Sequence, residues 1–155
     1  MTTAYIGVAP GATAPKVTIQ AYDSTGALVA GSLIVPTLED MTINNANDVF
    51  TWTQLNEGSK MQIATLATNS VSSNVVLEDA TFFGVVGGTA GSATLLGLFG
   101  LSKNKTKVQI SINFSGTRTL TANAYVTGLA PKVSATAPVW VSPVTFTVTG
   151  DYTVA

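Results

Sequence analysis

Between Lys107 and Phe114 the side chains alternate without exception. Val108, Ile110, Ile112 and Phe114 fall on one parity, and Lys107, Gln109, Ser111 and Asn113 on the other. Successive side chains of an extended strand point to opposite faces, so this segment predicts a strand with one buried and one wet face. Ser115-Gly116 supplies a turn. Leu120, Ala122, Ala124 and Val126 then alternate with Thr119, Thr121, Asn123, Tyr125 and Thr127, the pattern of an antiparallel partner. The C-terminus repeats it: Val144, Phe146, Val148, Tyr152 and Val154 interleave with Thr145, Thr147, Thr149 and Thr153. Near the other end, Val17, Ile19 and Ala21 lead into Asp23-Ser24-Thr25-Gly26, with Asp first and Gly fourth as a type I turn prefers. Ala27 to Val35 returns and stops at Pro36. Residues Asp48–Leu55, Met61–Thr68 and Val71–Leu77 add further strands, less sharply alternating.

One segment predicts a helix. Ser92 caps Ala93 to Leu101, placing Leu95, Leu98 and Phe99 on one stripe, although Gly97 and Gly100 each cost about 1 kcal/mol in a helix interior. The uncharged stretch Ala80–Ser102 is long enough to cross a bilayer, but the breaker cluster Gly87-Gly88-Thr89-Ala90-Gly91-Ser92 interrupts it. Strand, glycine-rich loop and short helix is the better assignment. No internal repeat or linker appears. The expected fold is one mostly β domain over 1–155, two packed antiparallel sheets forming a sandwich or small barrel, with one short flanking α-helix.

The polar parity is filled by an unusual set of residues. Charged residues make up 10% of the 155, while Thr, Ser and Asn number 24, 12 and 9. An ordinary soluble domain carries about 25% charge. A surface this poor in charge is suited to being covered. With no Cys and no His, there is no disulfide framework, thiol nucleophile, imidazole ligand or Ser–His–Asp triad. The acid pairs Glu39-Asp40 and Glu78-Asp79 are adjacent, so each points its carboxylates apart along a strand, and both precede a new segment where turns hold acids. The Gly84–Gly91 run lacks the Lys of a phosphate loop. A formal net charge of −1 argues against a dedicated nucleic-acid binder. No catalytic, metal or cofactor residues are identified. Met1 to Pro10 lacks the positive start of a signal peptide.

The order of elements in the C-terminal half is more specific. Leu95-Leu96-Gly97-Leu98-Phe99 precedes the strand Val108–Phe114, then Thr121-Ala-Asn-Ala-Tyr-Val-Thr-Gly-Leu129. An Ala/Pro-rich connection, Ala130-Pro131 to Ala137-Pro138, leads to Val144-Thr-Phe-Thr-Val-Thr-Gly-Asp-Tyr152. This order, from Leu95 to Tyr152, resembles the major tail tube proteins of long-tailed bacteriophages and their relatives in contractile injection machines. The resemblance implies a subunit that joins five copies of itself into a hexameric ring, with rings stacking into a hollow tube. DNA passes through such a tube without specific binding. It also implies contacts with a tape measure, a baseplate or tip, a terminator and, in contractile tails, a sheath. The protein would be made in the host cytoplasm and reside in the virion, with no membrane and no cofactor. The scarcity of charge departs from the family, whose members place more acids on the lumen face.

Within that frame Thr119, Thr121, Thr145 and Thr147 are candidates for the lumen face. An N-terminal arm of about 1–15 and an extended hairpin arm of about 36–60 are expected. The latter holds Leu38, Met41, Ile43, Phe50 and Trp52, with Asn44-Asn45-Ala46-Asn47 as its tip. Its large apolar groups exceed what a loop normally exposes, so Phe50, Trp52, Met41 and Ile43 are the candidate subunit-interface residues. Two other classes fit the same strands. One is a secreted or surface β-sandwich binding module of adhesin or pilin type; the other is a different virion component, such as a tail terminator or decoration protein.

Overall fold

A computed structural model describes residues 17–35, 38–53, 55, 58–85, 91–113 and 118–155. The expected N-terminal arm, the Ser115-Gly116 turn, Phe114 and most of the 87–92 glycine cluster lie outside them. The strands are β1 (Val17–Ala21), β2 (Leu33–Val35), β3 (Leu38–Thr53), β4 (Lys60–Val76), β5 (Lys107–Asn113), β6 (Thr119–Leu129), β7 (Lys132–Ser134), β8 (Ala137–Val148) and β9 (Thr153–Val154). Two helices, α1 (Asp79–Phe83) and α2 (Ala93–Lys103), separate β4 from β5.

The fold is mostly β, as the alternation requires. One open, antiparallel hydrogen-bonded path runs β2-β1-β5-β6-β8-β4-β3, with β7 added to β8 and β9 to β6. Two layers arise because this sheet rolls over: Val17 and Val35 near one end meet Val75, Val144 and Phe146 near the other around a single small gap, with Leu98 of α2 between them. The predicted parities hold. Val108, Ile110, Ile112, Leu120, Ala122, Ala124, Val126, Val144, Phe146 and Val148 are all buried, and their Thr, Asn and Gln neighbours are not. The Asp23 turn forms as expected: its carboxylate accepts from Thr25 N (2.8 Å), the Thr25 hydroxyl (2.6 Å) and Ala27 N (2.9 Å), and Gly26 takes φ 86°. Those donors, the Thr25 hydroxyl foremost, hold the carboxyl below its ordinary pKa.

Three expectations change. The C-terminal alternation is not one strand: a turn at Gly150 (φ 92°) separates β8 from β9, and Val154 is exposed on the short β9. The segments Met61–Thr68 and Val71–Leu77 belong to a single strand, β4, up to Val76. The turn-prone Asn69 between them is buried mid-strand, paired with Asn45 on one side and Val148 on the other. Its amide donates to the Gly150 carbonyl (3.1 Å). There are also two helices where one was expected, and the stripe of α2 is different. Ala93, Leu96, Leu98 and Leu101 are buried, whereas Leu95 and Phe99 reach the surface, 37% and 45% exposed. Gly97 sits at φ 65°, ψ 178° inside α2, which kinks the helix and shifts the phase of everything after it.

The kink has a packing cause. Gly97 meets Gly84, itself at φ 72°, where α1 runs into the loop before α2, and a Cβ on either would collide with the other's backbone. The Val85 amide donates to the Leu95 carbonyl across the same junction (3.2 Å). Two glycines thus let two backbones touch, and the rings of Phe82, Phe83 and Phe99 cluster beside them.

Two stability outcomes follow from this packing. Ile110→Ala and Phe146→Ala each lower unfolding free energy by about 2–5 kcal/mol in urea titrations, through cavity formation. Near-neutral values for both would contradict the register. Gly97→Ala costs about 1–3 kcal/mol for its backbone conformation alone, with the collision at Gly84 added. An unchanged urea midpoint would show that the two backbones are not in contact.

Candidate assembly interface

The β3–β4 hairpin is longer than the sheet that holds it. β3 pairs with β4 from Leu38↔Val75 to Thr53↔Lys60, but β8 supports β4 only from Asn69 to Val76. The rest of both strands is a two-stranded ribbon projecting about 30 Å beyond its last supporting strand, at about 3.3 Å per residue. The hairpin turns between Thr53 and Lys60, so Asn44 to Asn47 are not its tip. They sit mid-strand, opposite Ser70, Asn69, Thr68 and Ala67.

A bulge in β4 decides which way the ribbon faces. The register steps from Asn47↔Ala67 to Val49↔Ala64, placing one extra residue in β4. Before the bulge, odd positions of β4 such as Val71 and Val75 enter the core. Beyond it, Ile63 pairs with Phe50 and Met61 with Trp52, so these odd positions lie on the opposite side of the sheet. Phe50, Trp52, Met61 and Ile63 thus share one face, and the Phe50 and Trp52 rings stack with centroids 5.8 Å apart. Phe50 is 57% exposed and Ile63 56%. Trp52 is half-buried.

The four residues singled out from sequence therefore divide. Phe50 and Trp52 lie on the projecting ribbon. Met41 and Ile43 lie at its base, half-buried and packed against the core. Met61 and Ile63, which complete the apolar face, carried a sequence signal as apolar residues at i and i+2. Without the bulge, however, the pattern assigns them to the core side.

The base of the ribbon is clamped by the C-terminal segment. The Tyr152 hydroxyl lies 2.7 Å from the Asn44 carbonyl oxygen on β3 and 3.1 Å from that of Ser70 on β4. Burial pushes its pKa above the ordinary phenol value, so the donor stays protonated. Asn69 adds its bond to Gly150 from the core side.

On the polar parity, Thr147 is exposed and Thr119, Thr121 and Thr145 are half-buried. They stand in a field of neutral groups. Thr121 faces Ser111 and Asn123 faces Gln109 on β5, while Thr145 faces Ser72 and Thr147 faces Ser70 on β4. The Thr127 and Thr147 hydroxyls meet at 2.9 Å. Lys107 stands 5.1 Å over the Tyr22 ring.

The acid pairs have structural uses. Asp40 accepts from the Asn74 backbone amide (3.0 Å) and side-chain amide (2.9 Å), and Glu78 accepts from the Thr81 hydroxyl (3.3 Å) at the start of α1. Among the described residues, no three of His, Cys, Asp and Glu gather where a metal ion could be held. No helix among them is long and apolar enough to cross a membrane.

No protein-family signature matches the sequence, and no curated protein matches it. Solved structures do match its shape. A chain from the tail of an empty gene transfer agent particle, determined with C6 symmetry, superposes with a TM-score of 0.54 at 14% identity, covering 90% of this chain and 95% of that one. The SPP1 tail tube gives a TM-score of 0.59 at 11% identity, over 90% of this chain and 75% of that one. A chain of the sheath–tube complex of the PVC extracellular contractile injection system gives 0.52 at 15%, over 90% and 88%. At these identities the agreement is one of fold, and it extends over nine-tenths of the chain. This chain has the tail tube protein fold.

Proposed function

We propose that the protein is a structural tail tube subunit. Six copies join edge to edge into a ring, and rings stack into the hollow tail tube of a virion through which DNA passes. The observation that carries this reading is the shared fold along nine-tenths of the chain, in a molecule that also projects a ribbon with an uncovered apolar face. An isolated monomer exposing Phe50 and Ile63 on two strands and Leu55 in the turn between them would be prone to associate. A stack of copies covers them. The protein has a scaffold's role and no catalytic one. Its partners are itself and the other tail proteins: tape measure, baseplate or tip, terminator and, in a contractile tail, sheath. It is made in the host cytoplasm and resides in the virion.

The Thr-rich face of β6 and β8 is assigned to the lumen, with Thr119, Thr121, Thr145 and Thr147 on it. Affinity for duplex DNA comes mainly from Lys and Arg on phosphates, so a neutral hydroxyl lining lets DNA slide. Each Lys placed there recurs around every ring.

Phe50 and Trp52 act as anchors between subunits, a role that commonly carries about 2 kcal/mol or more of an interface. Trp52→Ala is then expected to keep the wild-type unfolding free energy within about 1 kcal/mol in urea titrations, while sedimentation and negative-stain images show tubes lost or dissociating on dilution. Normal polymerisation, or an unfolded monomer, would contradict the anchor role. Wild-type protein that forms isolated rings which never stack would point to a terminator instead. Assembled tubes of Thr145→Lys/Thr147→Lys should retain duplex DNA at 150 mM salt, roughly the physiological ionic strength, and wild-type tubes should release it. Equal retention by both would remove these threonines from the lumen.

A further inference from the structure

The hydroxyl face is neutral except at one place. Across β1, β5, Thr119–Thr127 of β6, Val144–Val148 of β8 and Ser70–Asn74 of β4, the outward residues are Thr, Ser, Asn, Gln and Tyr, and Lys107 is the exception. The register fixes its neighbours. Lys107 stands opposite Tyr125 on β6, Tyr125 opposite Thr147 on β8, and Thr147 opposite Ser70 on β4. From the other side, the Tyr22 amide donates to the Lys107 carbonyl (2.9 Å). The lysine therefore lies in a row with two tyrosines, on the same face as Thr121 and Thr145.

Tyr22 holds this lysine without neutralising it. The Lys107 Nζ lies 5.1 Å over the centre of the Tyr22 ring, whose electron-rich face attracts a cation. A carboxylate in that place would cancel the charge; an aromatic ring leaves it available to an external anion. The Tyr22 hydroxyl also donates to Asn123 Oδ1 (2.7 Å). That bond turns the amide oxygen toward Tyr22 and leaves the Asn123 N–H donors for another acceptor. Asn123 faces Gln109, and Gln109 faces Gln20, so three neutral amides run beside the lysine. Lys107 and Asn123 are both half-buried, with stems packed on the sheet and polar ends outward.

Building on the assignment of this face to the lumen, we infer that Lys107 and Asn123 form a contact for the phosphate backbone of duplex DNA, repeated in every subunit of the tube. An ammonium with a neutral amide donor beside it suits phosphate oxygens. Lysine is a point charge on a flexible stem, without the fixed fork of an arginine, and so accepts a phosphate from many directions. Contacts to phosphates carry no sequence information, as a conduit for any genome requires. The duplex offers one charge per about 1.7 Å of its axis, so a phosphate is always near each lysine as DNA moves past. The hydroxyls around the row add little affinity, which makes the hold weak and sensitive to salt.

The test uses tubes of the full-length protein assembled around short linear duplex, treated with a non-specific nuclease to remove DNA outside them, and then sedimented. Protected DNA is measured at about 50 and about 200 mM salt, a range over which six to ten phosphate contacts lose about 10³–10⁵ in affinity. Lys107→Gln removes the charge and Lys107→Arg keeps it. Lys103→Gln makes the same charge change at the end of α2, on the core side of the sheet. Wild type, Lys107→Arg and Lys103→Gln should retain duplex at the lower salt and release it at the higher. Lys107→Gln should retain about tenfold less at the lower salt. Lys107→Gln tubes that keep as much protected DNA as wild type overturn the contact and leave the tube reading standing. Equal loss in Lys103→Gln overturns it as well, because net charge alone then accounts for the effect. Lys107→Gln protein that forms no tubes overturns it too, since the lysine then serves assembly. Wild-type protein that forms no tubes overturns both readings.

Discussion

The pairing of β4 with β8 from Asn69 to Val76 is the constraint on which the rest of this structure depends. It fixes eight residues of a 17-residue strand in the sheet, buries Val71 and Val75 against Val144 and Phe146, and leaves the other half of β4 paired with β3 alone among the described residues. A slip of one residue would turn Val71 and Val75 out to the hydroxyl face and Ser70, Ser72 and Asn74 into the core. Asn69 marks the boundary. It is buried, its amide nitrogen donates to the Gly150 carbonyl while its Oδ1 has no partner among the described residues, and beyond it the strand leaves the body of the protein. The body and the ribbon are both placed by that one register.

Much of the body was legible because its strands obey a single rule. In β5, in Leu120–Val126 of β6 and in Val144–Val148 of β8, every even position is apolar and buried and every odd one faces outward, so parity alone names the core. The candidate interface was legible only in outline. Large apolar groups in Pro36–Lys60 signalled an extended hairpin needing cover, yet its tip was misplaced at Asn44–Asn47. Asn-rich tetrapeptides favour turns when isolated; here, cross-strand pairs with Ser70, Asn69, Thr68 and Ala67 hold them extended. The bulge between Ala64 and Ala67 leaves no mark in composition, and it alone transfers Met61 and Ile63 from the core parity to the face of Phe50 and Trp52. Its presence follows from pairing with β3, which no local pattern reveals.

The helical region shows a different limit. The Leu95–Leu98–Phe99 stripe assumed an unbroken period of 3.6 residues. Gly97 was weighed as a propensity cost, whereas its use is conformational: φ 65° allows the chain to pass within contact of Gly84. The result places Leu96, Leu98 and Leu101 inside and leaves Leu95 and Phe99 at the surface beside Phe83. Tertiary contact between two glycines, distant in the sequence pattern, overrode the local period. The same contact sets α1 at the end of β4.

Low charge and an uncovered apolar ribbon suit a surface that copies of the same chain would complete, as the proposed tube requires. The most direct measurement is a cryo-EM reconstruction of the purified wild-type protein. The account predicts a hollow six-fold tube in which each β3–β4 ribbon crosses the seam between rings. A monomer or a closed oligomer of fixed size at high concentration, or a tube whose ribbons stay within their own ring, would contradict it.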